Sequence, residues 1–306
     1  MTACLVCAAP LPDRGMAAVD RLHGVPGRFT VVRCRVCGAG RTLPPSSAEQ
    51  IAAYYPADYG PFAASTGRLF QLISRAIRAW QGFAASRRPP ISSIAGRPPG
   101  DGLDVGCGRG DLAGWLVQRG WRMTGIEPSA GAAAVARARG VTVLEGTLGT
   151  EQLPAEAFDA AVFQQSLEHT EEPLADLQRV FAALRPGGVV CVSVPNFGSW
   201  QARRFGSRWF HLDVPRHRVH FTAAALAQAL ELAGFADVRT TTSTSPVGLP
   251  ASLQYRVFGR CLFPGGLALR IAAGLCVLVL PLSAMADHLL GGGDVLHAVA
   301  SKPGTR

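Results

Sequence analysis

The sequence predicts an α/β fold built on a mainly parallel sheet, and three observations carry that prediction. From Gly102 onward, short apolar runs alternate with amphipathic helical stretches, the rhythm of strand–helix–strand units with helices on both faces. A glycine-rich turn, Gly106-Cys107-Gly108-Arg109-Gly110, separates the first run from the first helix. An acid, Glu127, closes the second run. With 306 residues, 48% of them hydrophobic, the chain is long enough for one large domain and a small one.

Residues 1–45 hold two Cys-x-x-Cys pairs among turn formers and read as a small separate unit. Residues 46–100 form a linking region whose aromatic cluster is a candidate lid over the cofactor pocket, with packing of the N-terminal unit on the main domain as the competing reading. It has an aromatic cluster from Tyr54 to Phe62, a helical pattern from Arg68 to Ala85, and proline-rich breaks at Pro89-Pro90 and Pro98-Pro99. The main domain, 101–306, opens with the strand Leu103–Val105, then a helix over Leu112–Arg119 and a strand over Arg122–Ile126. A helix over Ala130–Arg139 and strands over Val141–Leu144 and Phe158–Phe163 follow. A helix over Leu174–Leu184, a strand over Val189–Val194, a helix over Ala223–Ala233 and a strand over Val238–Thr242 continue the pattern. Val295–Ala300 reads as a last strand. Two stretches break the rhythm: a polar, His- and Arg-rich insertion at 197–221 and an apolar one at 262–290.

The glycine turn lets backbone approach a ligand closely at a helix N-terminus. An acid about twenty residues on, at the next strand end, suits two ribose hydroxyls. Together they indicate a nucleoside cofactor. A dinucleotide fingerprint would need glycine at Asp111, and an acid there opposes a pyrophosphate. Asp111 is read instead as a helix-start residue.

The segment Leu103–Gly110, followed by Gly125-Ile126-Glu127-Pro128-Ser129, resembles the first two motifs of class I S-adenosylmethionine (SAM) methyltransferases. Phe158–Phe163 with Ser166-Leu167-Glu168-His169, the turn Leu184-Arg185-Pro186-Gly187-Gly188, and Ala233-Gly234-Phe235 are similar to later parts of that family. The resemblance implies a Rossmann-like seven-stranded sheet whose final strand runs antiparallel beside the sixth. It implies that Asp104, Gly106 and Gly108 line the methionine end of SAM, with Cys107 in the same loop. Glu127 would hold the ribose, Thr147 and Leu148 would flank the adenine, and Gln164 and Gln165 would lie beneath the methionine. Many relatives place an acid at the adenine position; neither Thr147 nor Leu148 is one.

Cys4, Cys7, Cys34 and Cys37 form two knuckles of the spacing that brings four thiolates around one tetrahedral Zn²⁺. Four thiolates close such a site, so a zinc ribbon with a structural ion is expected. The other four of the eight cysteines, Cys107, Cys191, Cys261 and Cys276, are scattered in apolar surroundings. That usage indicates a reducing compartment and no disulfide framework.

The insertion at 197–221 follows the fifth strand, at the carboxyl edge where open α/β sheets bind ligands. It resembles the Pro-Arg-His…His-Phe segment of a bacterial methyltransferase subgroup often linked to cell-surface polysaccharide or lipid metabolism. His217, His220 and His169 are the candidate bases, being neutral near pH 7. Arg216 and Arg218 are candidates to hold an anionic acceptor. For each histidine, a structural His–Asp–Arg network is the competing reading.

The apolar stretch approaches membrane-span length but is interrupted by Arg270, Pro281 and Asp287. The resemblance implies that the strands on both sides of it pair in one sheet, which opposes a single crossing. Peripheral contact with an anionic inner membrane face, a buried helix and a dimer contact are the readings left. The net charge of +9 admits nucleic acid, anionic lipid, an acidic substrate or simply a solvated basic surface. No basic n-region followed by an apolar segment opens the chain, so a cytoplasmic protein is expected. The leading functional reading is SAM-dependent methyl transfer to a small-molecule, glycan or lipid-linked acceptor, with O-methylation favoured. An RNA methyltransferase is the alternative, opposed by Gln164-Gln165-Ser166 where an Asn-Pro-Pro-Tyr motif would stand. A non-catalytic SAM-binding module at a membrane is the third reading. The oligomeric state is left open.

Overall fold

The computed structural model describes residues 2–46, 50–51, 53–55, 91–261 and 279–304. The helix expected over Arg68–Ala85, the aromatic cluster beyond Tyr55 and the residues 262–278 lie outside the described residues.

Seven strands form the main sheet: β4 (Asp101–Val105), β5 (Arg122–Ile126), β6 (Thr142–Leu144), β7 (Phe158–Gln164), β8 (Leu184–Pro195), β10 (Ala236–Ser243) and β11 (Val295–Ser301). Their order is β10-β11-β8-β7-β4-β5-β6. The pairs from β6 to β8 are parallel, and β11 runs antiparallel to both β8 and β10. This is the topology that the resemblance implied, final strand included.

Side chains on these strands alternate between two cores, as the two-residue period of a strand requires. Ala161 and Phe163 of β7 and Val190, Val192 and Val194 of β8 enter one core. Helices α4 (Pro173–Ala183) and α6 (Ala223–Leu232) cover it with Leu177, Val180, Leu226 and Leu230. Ala160, Val162, Val189 and Cys191 enter the other, under α2 (Asp111–Val117) and α3 (Ala130–Arg137). A short helix, α1 (Ser92–Ala95), adds Ile94 to this second core.

The segment Leu184–Gly188, expected as a turn, belongs to β8. The pairing of β7 with β8 shifts register between Phe158 and Ala160. Main-chain bonds between Lys302 and both Gly187 and Gly188 tie the irregular stretch to the chain's end.

The N-terminal residues build a second sheet, β1 (Met16–Ala18), β2 (Phe29–Arg33) and β3 (Gly40–Leu43), all antiparallel. Its fourth strand, β9 (Val219–His220), comes from the insertion and pairs Gly40 with His220. Strand β2 turns Val32 toward the main core and Phe29 and Val31 toward a third cluster. That cluster contains Phe205, Trp209, Leu212 and Val214 of the insertion, which includes α5 (Trp200–Phe205). The N-terminal unit and the insertion therefore share their cores.

After β10 come α7 (Gly248–Phe258) and, beyond residue 278, a helix over 279–290. Asp287 on the latter is buried and accepts hydrogen bonds from Trp200 Nε1 at 2.6 Å and Gln201 Nε2 at 3.1 Å. Among the described residues no helix is long and apolar enough to cross a membrane.

Gly110 precedes α2 with φ +70°, and a Cβ there would lie 2.9–3.0 Å from Cβ and Cα of Ala136 in α3. Both the left-handed backbone and the helix contact exclude a side chain. Gly110→Ala is expected to destabilise the domain by about 1–3 kcal/mol, read as a lower urea midpoint at unchanged m-value.

Candidate active site

At the carboxyl ends of β4 and β5, the glycine turn folds back on the second strand. The amides of Gly106 and Cys107 donate to the Ile126 carbonyl at 2.8 and 3.1 Å. Gly106 has φ +72°, and a Cβ on it would meet Ser166 Cβ at 2.6 Å. Gly108 has φ +53° and nothing within 4 Å of a Cβ position, so it borders open space. Glu127, 4% exposed, clamps the turn: Oε2 accepts from the Gly108 amide and Oε1 from the Ser129 amide, each at 2.9 Å. Each of these oxygens keeps further acceptor capacity. Burial raises the Glu127 carboxyl, opposed by those two amides.

Asp104 is 2% exposed, and its Oδ1 has no hydrogen-bond partner. Burial and then the nearby Glu127 charge push its carboxyl up to about 7, against a bond from the Ala113 amide. Asp111 opens α2 and pairs with Arg139 at 2.5 Å, a helix-start role. The Cys107 thiol points into the second core, where it would meet a Cβ on Gly125 at 2.5 Å. Only its backbone belongs to the turn's ligand face. Leu148 is buried in the main core, and Thr147 is exposed beside it. Gln164 is exposed at the end of β7, and Gln165 follows with φ +54°, its amide on the Ser193 carbonyl.

Beyond β7 the chain turns through Leu167–His169 and meets the loop 213–218 of the insertion. The Arg218 amide donates to the Glu168 carbonyl at 2.8 Å. The rings of His169 and His217 meet edge to face, 4.7 Å between centroids. His217 Nδ1 lies 2.9 Å from the His211 carbonyl, and His169 Nδ1 lies 3.0 Å from the Arg216 carbonyl and 2.9 Å from Tyr55 Oη. A carbonyl only accepts, so each Nδ1 carries the proton and each Nε2 keeps its lone pair. Burial lowers His169 to about 3 and His217 to about 4, so both are neutral at pH 7.

His220, the third expected base, is engaged elsewhere. Its Nε2 lies 2.9 Å from Thr42 Oγ1, which donates to the His217 carbonyl at 2.7 Å. The ring therefore donates to Thr42 and fastens β9 to β3.

Arg216 corrects another expectation. It is fully buried, with its guanidinium bonded to Asp213 through Nε and Nη2, to Asp20 through Nη1 and Nη2, and to the Tyr54 carbonyl. It binds this chain's own acids and has no face for an anionic acceptor. Arg218 pairs with the more exposed Glu171 at 3.0 Å. Burial alone would raise the Asp213 carboxyl, but the bonds and charge of Arg216 outweigh it and hold it below the ordinary range.

Sequence reasoning missed two residues here, Asp20 and Glu168, whereas Asp213 is the acid of the His–Asp–Arg network that was the competing reading. Glu168 lies inside the quoted Ser166–His169 motif, an acid directly after Leu167, and that contrast was its available signal. Asp20 stands 196 positions from Arg216 and carried no local signal.

At the N-terminus the thiols of Cys4, Cys7, Cys34 and Cys37 converge within 4.8 Å of one another. Cys4 and Cys37 sulfurs are 3.5 Å apart, and those of Cys7 and Cys34 3.6 Å. A Zn–S distance of about 2.3 Å sets tetrahedral S···S edges near about 3.8 Å. In each knuckle the amide two residues after the first cysteine points at its sulfur, Val6 to Cys4 and Val36 to Cys34, both at 3.4 Å.

A family profile described as a methyltransferase domain matches residues 76–240. The chain belongs to this methyltransferase domain family. Curated relatives of the domain include a probable S-adenosylmethionine-dependent methyltransferase of Mycolicibacterium smegmatis, 34% identical over 140 residues, covering 44% of this chain and 51% of the relative. A trans-aconitate 2-methyltransferase of Deinococcus radiodurans is 32% identical over 171 residues, covering 55% and 60%. A ubiquinone biosynthesis O-methyltransferase of Histophilus somni is 32% identical over 127 residues, covering 37% and 53%. The chain thus spans little more than half the length of these relatives. A SAM-dependent methyltransferase from Archaeoglobus fulgidus shares the fold, with a TM-score of 0.51 at 17% identity over 74% of this chain and 94% of that one.

Arg216→Ala would leave two carboxylates buried without their cation and is expected to cost about 3–5 kcal/mol at neutral pH. The sign of its pH dependence follows from Asp213. A depressed carboxyl stabilises the fold above its unfolded pKa, and that contribution is lost as pH falls through the folded one. The gap between wild type and variant in denaturant midpoints should therefore narrow below about pH 4.

Proposed function

We propose that this methyltransferase domain binds SAM along the β4–β5 edge and methylates an oxygen of a small-molecule, glycan or lipid-linked acceptor. The observation that carries the reading is Asp104 Oδ1, buried and unpartnered beside the Glu127 clamp. A cationic amino group of the methionine moiety would satisfy it, and the spare acceptor capacity of Glu127 suits two ribose hydroxyls. Gly108 leaves backbone room for the ligand, and Leu148 offers an apolar wall to the adenine. SAM supplies an electrophilic methyl on a sulfonium. The chain's part is to align the acceptor oxygen with it and to lower that oxygen's proton affinity. His169, His217 and Glu168 form the polar cluster that does this. Transfer to small-molecule oxygens by relatives such as the ubiquinone-pathway enzyme supports this acceptor class.

The four N-terminal cysteines are proposed to hold a structural Zn²⁺. The convergence of four sulfurs and the paired N–H···S contacts support this. Stripping the ion with a chelator should release one Zn²⁺ from this site and lower thermal stability, because the thiolate cage closes β1–β3. Loss of stability with Cys34→Ser but no zinc at the site in the wild type would contradict it.

Contact with an anionic membrane surface is the second proposal for the acceptor's location. Val257 and Phe258 on α7, and Leu282, Met285 and Leu289 on the helix 279–290, are over half exposed. Arg256 and Arg260 lie exposed close by in sequence. Co-sedimentation with phosphatidylglycerol vesicles, reduced by Phe258→Asp, is the expected result.

Incubation with methyl-labelled SAM and lysate, divided into lipid, RNA and small soluble fractions, tests the reaction. Label in the small soluble or lipid fraction, falling at least about a hundredfold with Glu127→Ala, is expected, a loss of roughly 2.7 kcal/mol in transition-state binding. Label confined to RNA would overturn the acceptor assignment.

A further inference from the structure

Glu168 is the least satisfied ionisable group described in the molecule. It is 1% exposed, and neither carboxylate oxygen has a hydrogen-bond partner. Among the described residues no Arg or Lys pairs with it; its one ion-pair contact is His217, whose Nε2 lies 4.0 Å from Oε1, and the Asp213 carboxylate acts on it as a like charge. A buried carboxylate persists when it is paired, protonated or bound to a metal. Its surroundings supply the donors for the last. One oxygen of Glu168 and one nitrogen each of His169 and His217 lie within 4.8 Å of one another. Both imidazoles give Nδ1–H to a main-chain carbonyl, the arrangement that fixes the tautomer of metal-ligating histidines.

We propose that Glu168, His169 and His217 form a second divalent-metal site, separate from the four thiols, for a first-row ion such as Zn²⁺. Two imidazoles and one carboxylate are a donor set that borderline ions take in place of sulfur. Bonds of about 2.0–2.2 Å put ligand atoms roughly 3–3.5 Å apart, so side-chain rotation must draw the present cluster together by about 1 Å. The two contributing segments are already fastened: the Arg218 amide holds the Glu168 carbonyl, and Arg216 holds Asp213 at the start of the loop. Asp213 Oδ2 stands 3.9 Å from His217 Nε2 but is engaged by Arg216 and remains outside the ligand set. Three protein ligands leave room for a fourth, which an acceptor hydroxyl would take. That last role rests on the methyl-transfer reading, in which the imidazoles then serve as ligands; metal binding does not depend on it.

Metal content decides the matter without any methyl acceptor. The purified full chain is loaded with excess Zn²⁺ or Co²⁺, dialysed and assayed by plasma mass spectrometry. Wild type should carry one more ion per chain than either Glu168→Gln or His217→Gln. The Co²⁺ difference spectrum between wild type and variant should lack a thiolate charge-transfer band, and the band retained in the variants reports their intact fold. Equal metal content in wild type and variants, or a lost ion that takes the thiolate band with it, would overturn the proposal. Should both variants fail to fold, stepwise Co²⁺ titration of wild type decides. A further equivalent bound with no gain in the thiolate band supports the site, and its absence refutes it. A protein that binds this ion yet transfers no methyl would refute only the catalytic role.

Discussion

The packing of the N-terminal unit and the linking region against the insertion depends on the buried guanidinium of Arg216. Its bonds reach Asp20 in the N-terminal unit, Asp213 in its own loop and the Tyr54 carbonyl in the linking region. A fully desolvated Arg is tolerated because two carboxylates and a carbonyl meet its planar fork. Removing either side leaves charge without a partner. The cluster therefore locks three separate parts of the chain together. It also holds the loop whose next residue, His217, sits against His169 and Glu168. A group with the look of an anion receptor is here the joint that positions the imidazoles.

At the glycine turn, the electrostatics run the other way. Asp104 and Glu127 are two buried acids in one small volume, and each raises the cost of the other's charge. Two backbone amides relieve Glu127; one oxygen of Asp104 is left unrelieved. A fold keeps such a pair when a ligand supplies the missing cation and hydroxyls. The glycine turn provides the access, with Gly106 packed on Ser166 and Gly108 facing open space. The sheet order brings this edge and the Glu168 turn to adjacent strands, β4 and β7.

The sheet was legible in the sequence because its determinants are local. Alternating apolar runs, glycine turns and the Ala233-Gly234-Phe235 break mark strand ends without reference to distant residues. Leu184–Gly188 shows where this fails: its proline and glycines signal a turn, yet Lys302, more than a hundred positions away, draws it into β8. The candidate site was legible by residue type and not by role. His217 and His220 stand three positions apart, yet one faces the Glu168 cluster and the other hydrogen-bonds Thr42 of β3. Arg216 read as a ligand for a substrate because its partner Asp20 is remote in sequence. The Cys107 thiol faces the core because the turn's geometry sends alternate residues to opposite sides. The shared cores of the N-terminal unit and the insertion were equally out of reach, since β9 is two residues long and owes its conformation to β3.

The Asp104–Glu127 edge is proposed to hold SAM. Ligand-dependent thermal unfolding tests it most directly. S-adenosylhomocysteine at about a hundred times its Kd should stabilise the folded chain by about 2.7 kcal/mol, which raises the Tm by roughly 4 °C. Asp104→Asn combined with Glu127→Gln should abolish the shift while the ligand-free chain still unfolds in one cooperative transition. An unchanged Tm for the wild type at millimolar ligand, or an undiminished shift in the double variant, would contradict it.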